Sequence, residues 1–510
     1  MKQIMQIGHI ISSVKFHKYI YLAPVLSAVI LIFAFPRFDQ GYLAWIGLLP
    51  FIWFCLKVNR ATSFHGGVLF GFIFHSYINS YLAVLFLDYL NIPLALFTFL
   101  LMLLFLSLFY GVFACLVSHF HQFSPPAVTA LVVPTLWITM EYARSLGLLG
   151  YTAGYIGYSQ WMYPFLLNTV SLYGYWGLAF LMVLVQVILV LRFCKLLETK
   201  TLGRLAIITA CLLIVGLWIP SLFPEMEDRS THKIALVQPN NPQQALIDSD
   251  PGEILDRYLD LSRDTLEKNP ELDLVVWPET AVNYSIGEGN PLIEEVKNLA
   301  QDYGVPILYG AVYLEEEARY NSIVLWEPEA EEAHFYYKNR LVPVVEYFPF
   351  PDLLNRVVDV DLVMGEYQPG EKAAPLPWEG DQIGGVVCFE SYFGDYTRKL
   401  AYQQARHLFV LTNDGWFDGT IGMEQHAYVG ALRAAEMGMG VTQVANTGIT
   451  LSFDHRGEKI FESPSMERDV FLMETGFPRR PTVYQYAGEY FLYLSFLTAV
   501  CLLLVSYRRR

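Results

Sequence analysis

Apolar and polar positions follow one pattern up to about residue 222 and a different one after it. Long apolar runs fill the first part, at Tyr19 to Phe35 and at about 41–56, 62–87, 92–118, 126–147, 164–191 and 205–222. One more lies at about 490–507. A helix needs ~20 apolar residues to cross a bilayer core, so eight runs predict eight membrane spans. Some runs exceed that length, which predicts tilt or a re-entrant piece. Lys2, Lys15 and Lys18 precede the first run as they would in a signal peptide, but no small-x-small cleavage site follows. The run is read as an uncleaved first span.

From Thr231 the pattern shortens. Strands are predicted at 233–238, 272–277, 306–313, 320–327, 333–338, 384–388, 407–412, 440–446, 449–454 and 469–474. Helices are predicted at 254–268, 292–303, 394–404 and 424–438, and a long loop at about 342–380. Strands interleaved with helices predict an α/β layered domain. The chain divides into a seven-span part at 1–222, a solvated domain at 223–488 and a last span at 489–510.

Charge sharpens this division. Residues 223–488 hold 20 basic and 44 acidic side chains, net −24, and the remainder is net +9. So acidic a domain excludes nucleic-acid binding as its role. Around the spans, twelve basic residues (Lys2, Lys15, Lys18, Lys57, Arg60, Arg192, Lys195, Lys200, Arg204, Arg508, Arg509, Arg510) fall on the side of the termini. Arg37 and Arg144 fall opposite. The positive-inside rule then puts both termini in the cytoplasm and the acidic domain outside.

Three strand ends carry reactive groups. Val275-Val276-Trp277-Pro278-Glu279 ends on a carboxylate, Phe335-Tyr336-Tyr337-Lys338 on an amine and Val386-Val387-Cys388 on a thiol. Each alone is more often a polar residue leaving the core. Together they supply the base, cation and nucleophile that thiol catalysis needs. No histidine lies beside any of them in sequence, which speaks against a Cys–His arrangement. Cys388 is the one cysteine of the acidic domain, so no disulfide framework exists there. No Cys/His spacing suits zinc, and His119 with His121 reads as a solvated loop pair; neither metal nor cofactor is expected.

Other polar residues leave two readings open. Trp137, Glu141 and Arg144 share one helical face, either as a polar cavity or as a pair snorkelling to the headgroups. Gly150 to Trp161 is rich in Gly, Tyr and Ser and reads as an interfacial or re-entrant segment at the outer surface, a rim for lipid entry. Asn413-Asp414 and Asn446-Thr447-Gly448 are turn formers before they are site residues, Trp416-Phe417 could be core, and His426 reads as a structural histidine.

Pro278-Glu279, Lys338 and Cys388-Phe389-Glu390 resemble the Glu-Lys-Cys triad of the nitrilase superfamily. Trp277 to Ala281, Lys338 to Pro343, Glu346 to Pro349, Asn413 to Phe417, Gln425-His426 and Asn446 to Ile449 narrow the resemblance to the apolipoprotein N-acyltransferase family. Trp137…Glu141 and Gly157-Tyr158-Ser159-Gln160 fit its membrane part, and its eight-span layout agrees with the count above. The resemblance implies a nitrilase-like αββα sandwich in the periplasm, carried by a monomer in the bacterial inner membrane. It implies that Glu279 deprotonates Cys388, which attacks the sn-1 ester of a phospholipid, usually phosphatidylethanolamine. The thioacyl enzyme then acylates the α-amine of a diacylglyceryl-cysteine at an apolipoprotein N-terminus. Lys338 and the Phe389 N–H would hold the oxyanion, Glu346 would position Lys338 or the amine, and Glu390 is carried over as a site residue.

Two positions depart from the family. Phe389 stands where it usually has Tyr, and Ile247 or a neighbour stands where it often has Trp. Two alternatives remain: a membrane-tethered carbon-nitrogen hydrolase or amidase, and a non-catalytic membrane scaffold.

Overall fold

The structure, a computed structural model, describes residues 19–226, 231–243, 246, 249–286, 290–315, 317–343, 345–347 and 366–508. Ile247 lies outside the described residues.

The apolar runs form helices α1 (Leu22–Ile32), α2 (Leu49–Lys57), α3 (Arg60–Ile78), α4 (Ser80–Tyr89), α5 (Ile92–Phe123), α6 (Pro126–Ser145), α7 (Pro164–Phe193) and α8 (Thr199–Trp218). Asn59 and Asn91 start α3 and α5 by accepting the Thr62 and Leu94 N–H groups, each satisfying an orphan donor of a first turn. Among the described residues four helices are long and apolar enough to span a membrane: Ile92–Phe123, Pro164–Phe193, Thr199–Leu222 and Tyr490–Arg508. The pair α3 and α4, bent by 62°, makes up to five. The expectation of eight is therefore not matched run for run. The first run gives an 11-residue helix, ~16 Å long at the helical rise, too short to cross alone. The run at 41–56 breaks at Ile46 between a 3₁₀ turn and α2. The run at 126–147 gives a 20-residue helix that carries Glu141 and Arg144.

That pair does not snorkel. Glu141 and Arg144 are fully buried. Of the two forms expected for Gly150 to Trp161 the inserted one is found, with Ala153 to Trp161 buried between the helices and the α/β domain. There the Trp161 ring stacks on Tyr428 at 3.7 Å and the Tyr158 hydroxyl donates to the Tyr392 carbonyl. His119 and His121 lie in the last turns of α5, not in a loop.

The α/β domain holds two sheets. One runs β13-β1-β2-β4-β5-β6 with β3 beside β4, the other β12-β11-β10-β9-β8-β7. The strands are β1 (His232–Gln238), β2 (Leu274–Val276), β3 (Val282–Ile286), β4 (Ile307–Glu315), β5 (Ala318–Trp326), β6 (His334–Tyr337), β7 (Leu376–Trp378), β8 (Asp381–Val387), β9 (His407–Thr412), β10 (Gly440–Ala445), β11 (Leu451–Phe453), β12 (Lys459–Glu462) and β13 (Asp469–Thr475). Helices α9 (Pro251–Lys268), α10 (Pro291–Tyr303), α11 (Gly394–Tyr402), α12 (Ile421–Met437) and α13 (Val483–Ala487) accompany them, and α14 (Tyr490–Arg508) returns to the membrane part. The sequence pattern missed β3, β7 and β12. The last two are edge strands of four residues or fewer, and β7 has Pro377 at its centre, which only an edge tolerates.

The sheets meet face to face, β5 on β8 and β1 on β10. Gly385 of β8 explains how closely: a Cβ there would stand 2.7 Å from Ile323 Cδ1 of β5. Strands β1, β2 and β4 run parallel in one sheet and β8, β9 and β10 in the other. Parallel strands gather their carboxyl ends on one edge, the usual place for a site in such sheets.

Candidate active site

Glu279 stands three residues past the end of β2. Its loop lies flat over β4 because Gly310 faces it: a Cβ at Gly310 would come within 2.6 Å of the Glu279 Cα. The Glu279 carboxylate accepts from Asn321 Nδ2 at 2.8 Å and from the Asn413 N–H at 3.0 Å. Lys338, one residue past β6, is held by its N–H donating to the Asn321 carbonyl. Its Nζ stands 2.9 Å from Glu346 Oε1 and 3.8 Å from Glu279 Oε1. Glu346 is fixed in turn by Asn321 Nδ2 at 2.8 Å and by the Val342 N–H at 2.7 Å. One cation thus sits between two carboxylates, all three buried, with Asn321 bridging the acids.

Cys388 ends β8 at φ +49°, a left-handed conformation unusual for a residue with a Cβ. The turn throws the sulfur off the sheet edge and starts a 3₁₀ turn, Cys388–Tyr392. The N–H groups opening such a turn have no partner within it, so the Phe389 N–H is available as a donor. Burial, and then the charge of Glu279, push the thiol well above its ordinary range, with Lys338 opposing. Burial also pushes Glu279 above the usual carboxylate range, again against Lys338. Burial disfavours the Lys338 charge, but Glu346 and Glu279 outweigh it and hold the amine above the ordinary lysine range. The resting state is then a neutral thiol beside a basic carboxylate and a permanent cation.

Glu390 has a structural task the sequence left undefined. It accepts from the Val387 N–H at 2.9 Å, Asn339 N–H at 2.7 Å, Arg340 N–H at 3.0 Å and the Tyr336 hydroxyl at 3.0 Å. One side chain thereby ties the Lys338 loop to the nucleophile turn. Burial drives its carboxyl up to about 7 against those donors. Phe389 packs edge-on against Phe393 with ring centroids 5.1 Å apart.

Two findings run against the sequence reading. A histidine does lie beside the thiol. His426 of α12 stands with Nδ1 2.8 Å from Asp414 Oδ1 and Nε2 3.0 Å from both the Cys388 carbonyl and Ser391 Oγ. A carbonyl only accepts, so Nε2 carries a hydrogen, and the Asp414 carboxylate accepts from Nδ1. Burial works against a charged ring, but Asp414 overrides it and holds His426 above the ordinary histidine range. Ligating atoms of Cys388, Asp414 and His426 fall within 4.8 Å of one another, yet a ring with hydrogen on both nitrogens offers no lone pair to a metal.

The second finding concerns the turn formers. Asn413 supplies an N–H to Glu279, and Asp414 orients His426. Asn446 Nδ2 donates to Asn413 Oδ1 at 3.1 Å, and the Asp414 N–H donates to the Thr447 carbonyl. Asn321 was missed altogether. The available signal was an amide in a strand that is otherwise apolar toward its end.

The membrane part closes over this edge. Tyr81 of α4 packs on Phe417 with ring centroids 4.9 Å apart. Gln425 Nε2 donates to the Ile78 carbonyl at 3.1 Å. Helix α7 breaks at Gly174, where φ is +67° and a Cβ would strike the Tyr484 ring at 2.5 Å. The freed Tyr175 N–H donates to Glu436 of α12 at 2.8 Å, so the α/β domain satisfies a donor the membrane helix cannot.

Comparison with known proteins finds relatives of both parts of the chain. Residues 27–188 match the family model described as the apolipoprotein N-acyltransferase N-terminal domain, and residues 233–475 match carbon-nitrogen hydrolase. An apolipoprotein N-acyltransferase of Geobacter metallireducens is 28% identical over 505 residues, covering 96% of each chain. One from Haemophilus influenzae is 27% identical over 526 residues, covering 99% of this chain and 98% of its own. A solved Saccharomyces cerevisiae member of branch 10 of the nitrilase superfamily is 16% identical at TM-score 0.39, over 49% of this chain and 91% of that one. With both domain models matched in order and relatives aligned end to end, the chain belongs to the apolipoprotein N-acyltransferase family.

Proposed function

We propose that this protein moves a fatty acyl chain from a phospholipid to the α-amine of a diacylglyceryl-cysteine at an apolipoprotein N-terminus, through a thioester on Cys388. The observation that carries the reading is the buried Lys338 between Glu279 and Glu346, beside a sulfur at the end of β8 and under membrane-part residues.

In the first half-reaction Glu279 takes the thiol proton as the sulfur attacks the sn-1 carbonyl carbon. The carbonyl oxygen becomes an oxyanion, which Lys338 and the Phe389 N–H stabilise. The C–O ester bond breaks, Glu279 returns the proton to the glycerol oxygen, and lysophospholipid leaves. In the second half-reaction the amine nitrogen attacks the thioester carbon, Glu279 accepts its proton, and the C–S bond breaks. The amide departs and the proton goes back to sulfur. Splitting the transfer this way replaces one high barrier by two moderate ones.

Burial raises Glu279 and so makes it a stronger base than an exposed carboxylate, while the thiol is held protonated until the sulfur attacks. Glu346 keeps Lys338 aimed, and Glu390 fixes the distance between the Lys338 loop and the Cys388 turn. Holding His426 charged puts a second cation against the nucleophile turn, a positioning role through the Cys388 carbonyl. All of these groups come from one chain, which suits a monomer.

Phosphatidylethanolamine is proposed as donor. The proposed topology is eight crossings, with residues 1–222 and 489–510 in the inner membrane and 223–488 periplasmic. The twelve-to-two distribution of basic residues supports it.

The test is transfer of labelled acyl chain from phospholipid to a diacylglyceryl lipopeptide. Cys388→Ser should abolish transfer while the protein stays inserted. Free fatty acid released regardless of peptide would instead favour the hydrolase.

A further inference from the structure

A cavity of about 220 Å³ opens in the seam between the two parts of the molecule. Its membrane wall is the end of α6 (Tyr142, Ser145) together with Tyr155, Tyr158 and the broken stretch of α7. Its other wall is the end of the nucleophile turn (Tyr392), the start of α11, and Arg433 and Glu436 of α12. Glu489, one residue before α14, closes it. The cavity therefore lies where α6 ends and α14 begins, between the apolar helices and the acidic domain. It also shares two segments with the reactive centre. Tyr392 belongs to the Cys388–Tyr392 turn, and Arg340 stands two residues past Lys338 with its N–H on Glu390.

The charges lining it are of both signs. Arg340 Nη2 donates to the Gly147 carbonyl at 2.8 Å, and its guanidinium lies 4.5 Å from the centre of the Phe393 ring. A guanidinium has five donors, and these contacts hold the fork in place without using them all. Arg433 is buried, its Nη1 2.6 Å from Glu436 Oε2, while its Nε has no hydrogen-bond partner. Asp395 and Glu489 supply carboxylates on the same cavity. Two fixed guanidinium groups beside two further carboxylates, among tyrosine rings, suit a compact zwitterion.

We propose that this cavity binds the headgroup of the acyl donor. Arg340 and Arg433 take the phosphodiester and Glu489 with Asp395 takes the ammonium, beside Tyr392, the last residue of the turn that Cys388 opens. The proposal rests on the phospholipid reading above and adds to it where the headgroup sits and what selects it. Arginine forks suit phosphate oxygens, and carboxylates suit a primary ammonium.

The experiment compares dioleoylphosphatidylethanolamine, dioleoylphosphatidylglycerol and dioleoylglycerol as donors to a lipopeptide in detergent micelles. For Arg340→Gln, kcat/KM for phosphatidylethanolamine relative to dioleoylglycerol should fall about tenfold, mainly through KM. For Glu489→Gln, preference for phosphatidylethanolamine over phosphatidylglycerol should fall about threefold. On the unaltered enzyme, soluble sn-glycero-3-phosphoethanolamine should raise KM for phosphatidylethanolamine, which keeps the test decisive if a variant fails to fold. Unchanged ratios, equal losses on all donors, or no competition by the soluble headgroup would overturn the headgroup site. An unaltered enzyme that transfers from none of the three lipids would instead sink the acyltransfer reading.

Discussion

Two of the buried ionisable clusters among the described residues are built on opposite rules. At the α/β edge Lys338 touches Glu346 and lies near Glu279, so charge faces charge in a water-poor place. In the membrane part, Glu141 and Arg144 form no ion pair among the described residues. Glu141 accepts from the Ile156 N–H at 3.0 Å and the Tyr175 hydroxyl at 2.8 Å. Arg144 donates toward His75 Nε2 at 2.7 Å and lies 5.1 Å from the centre of the Tyr155 ring. The first cluster needs its charges as charges; the second uses a carboxylate as a pair of acceptors that pins the 150–161 segment to α7. Replacing an acid by its amide should separate them.

The largest effect belongs to Lys338→Met, which leaves two buried carboxylates facing each other with no cation. Transfer should fall by about 10³-fold or more, as loss of an oxyanion donor does. The thermal midpoint should drop as well, since stranding buried charge costs about 3–5 kcal/mol.

Glu279→Gln keeps the shape and removes the base, and a loss of about 10²–10⁴-fold in acylation of Cys388 is expected. The unaltered enzyme should lose kcat/KM as pH falls through the Glu279 pKa. Because that carboxyl is held above its ordinary 4.5, the acid limb should lie above the position an exposed glutamate would give. An acid limb at or below 4.5 would remove Glu279 as the base.

A smaller effect is expected at His426. His426→Gln keeps the hydrogen bond to the Cys388 carbonyl and loses the cation, and about a tenfold fall in kcat/KM is expected, ~1.4 kcal/mol. The unaltered enzyme should also lose activity as pH rises through the histidine pKa, above 6.5, and this component of the alkaline limb should vanish in the variant. An unchanged alkaline limb would leave His426 as packing alone.

The mildest change is Glu141→Gln. An amide oxygen still accepts from Ile156, and its NH₂ can donate to the Tyr175 hydroxyl, so Cys388 acylation should stay within about threefold. Glu141→Ala orphans both donors, and the thermal midpoint should fall, at about 1–3 kcal/mol per buried group. If Glu141→Gln were as inactive as Glu279→Gln, the two clusters would not differ as described.

How legible each part was follows the range of the interactions that fix it. Strands β1, β8, β9 and β10 were readable because β-branched runs buried on both faces declare themselves locally. Glu279 and Cys388 were readable because each is the first reactive group past such a run, and Lys338 because it directly follows the aromatic strand β6. His426 was hidden: it lies 38 residues from Cys388, on a helix whose packing alone brings it there. Asn321 was hidden because its value comes from touching two acids distant in sequence. Among the described residues fewer helices than apolar runs are long enough to cross alone, because hydropathy sees apolar length but not the breaks at Ile46 and Asn79 that turn runs into short or bent helices. Glu141 and Arg144 misled for a related reason, since burial among tyrosines cannot be read from a helical face.

The account turns on whether the Cys388 sulfur carries the acyl chain. Mass spectrometry of the Cys388-containing peptide, after incubation with phospholipid and no acceptor, measures this directly. One fatty-acyl mass should appear on that peptide and be lost when lipopeptide amine is added. An unmodified Cys388 under conditions where the lipopeptide still becomes N-acylated would contradict it.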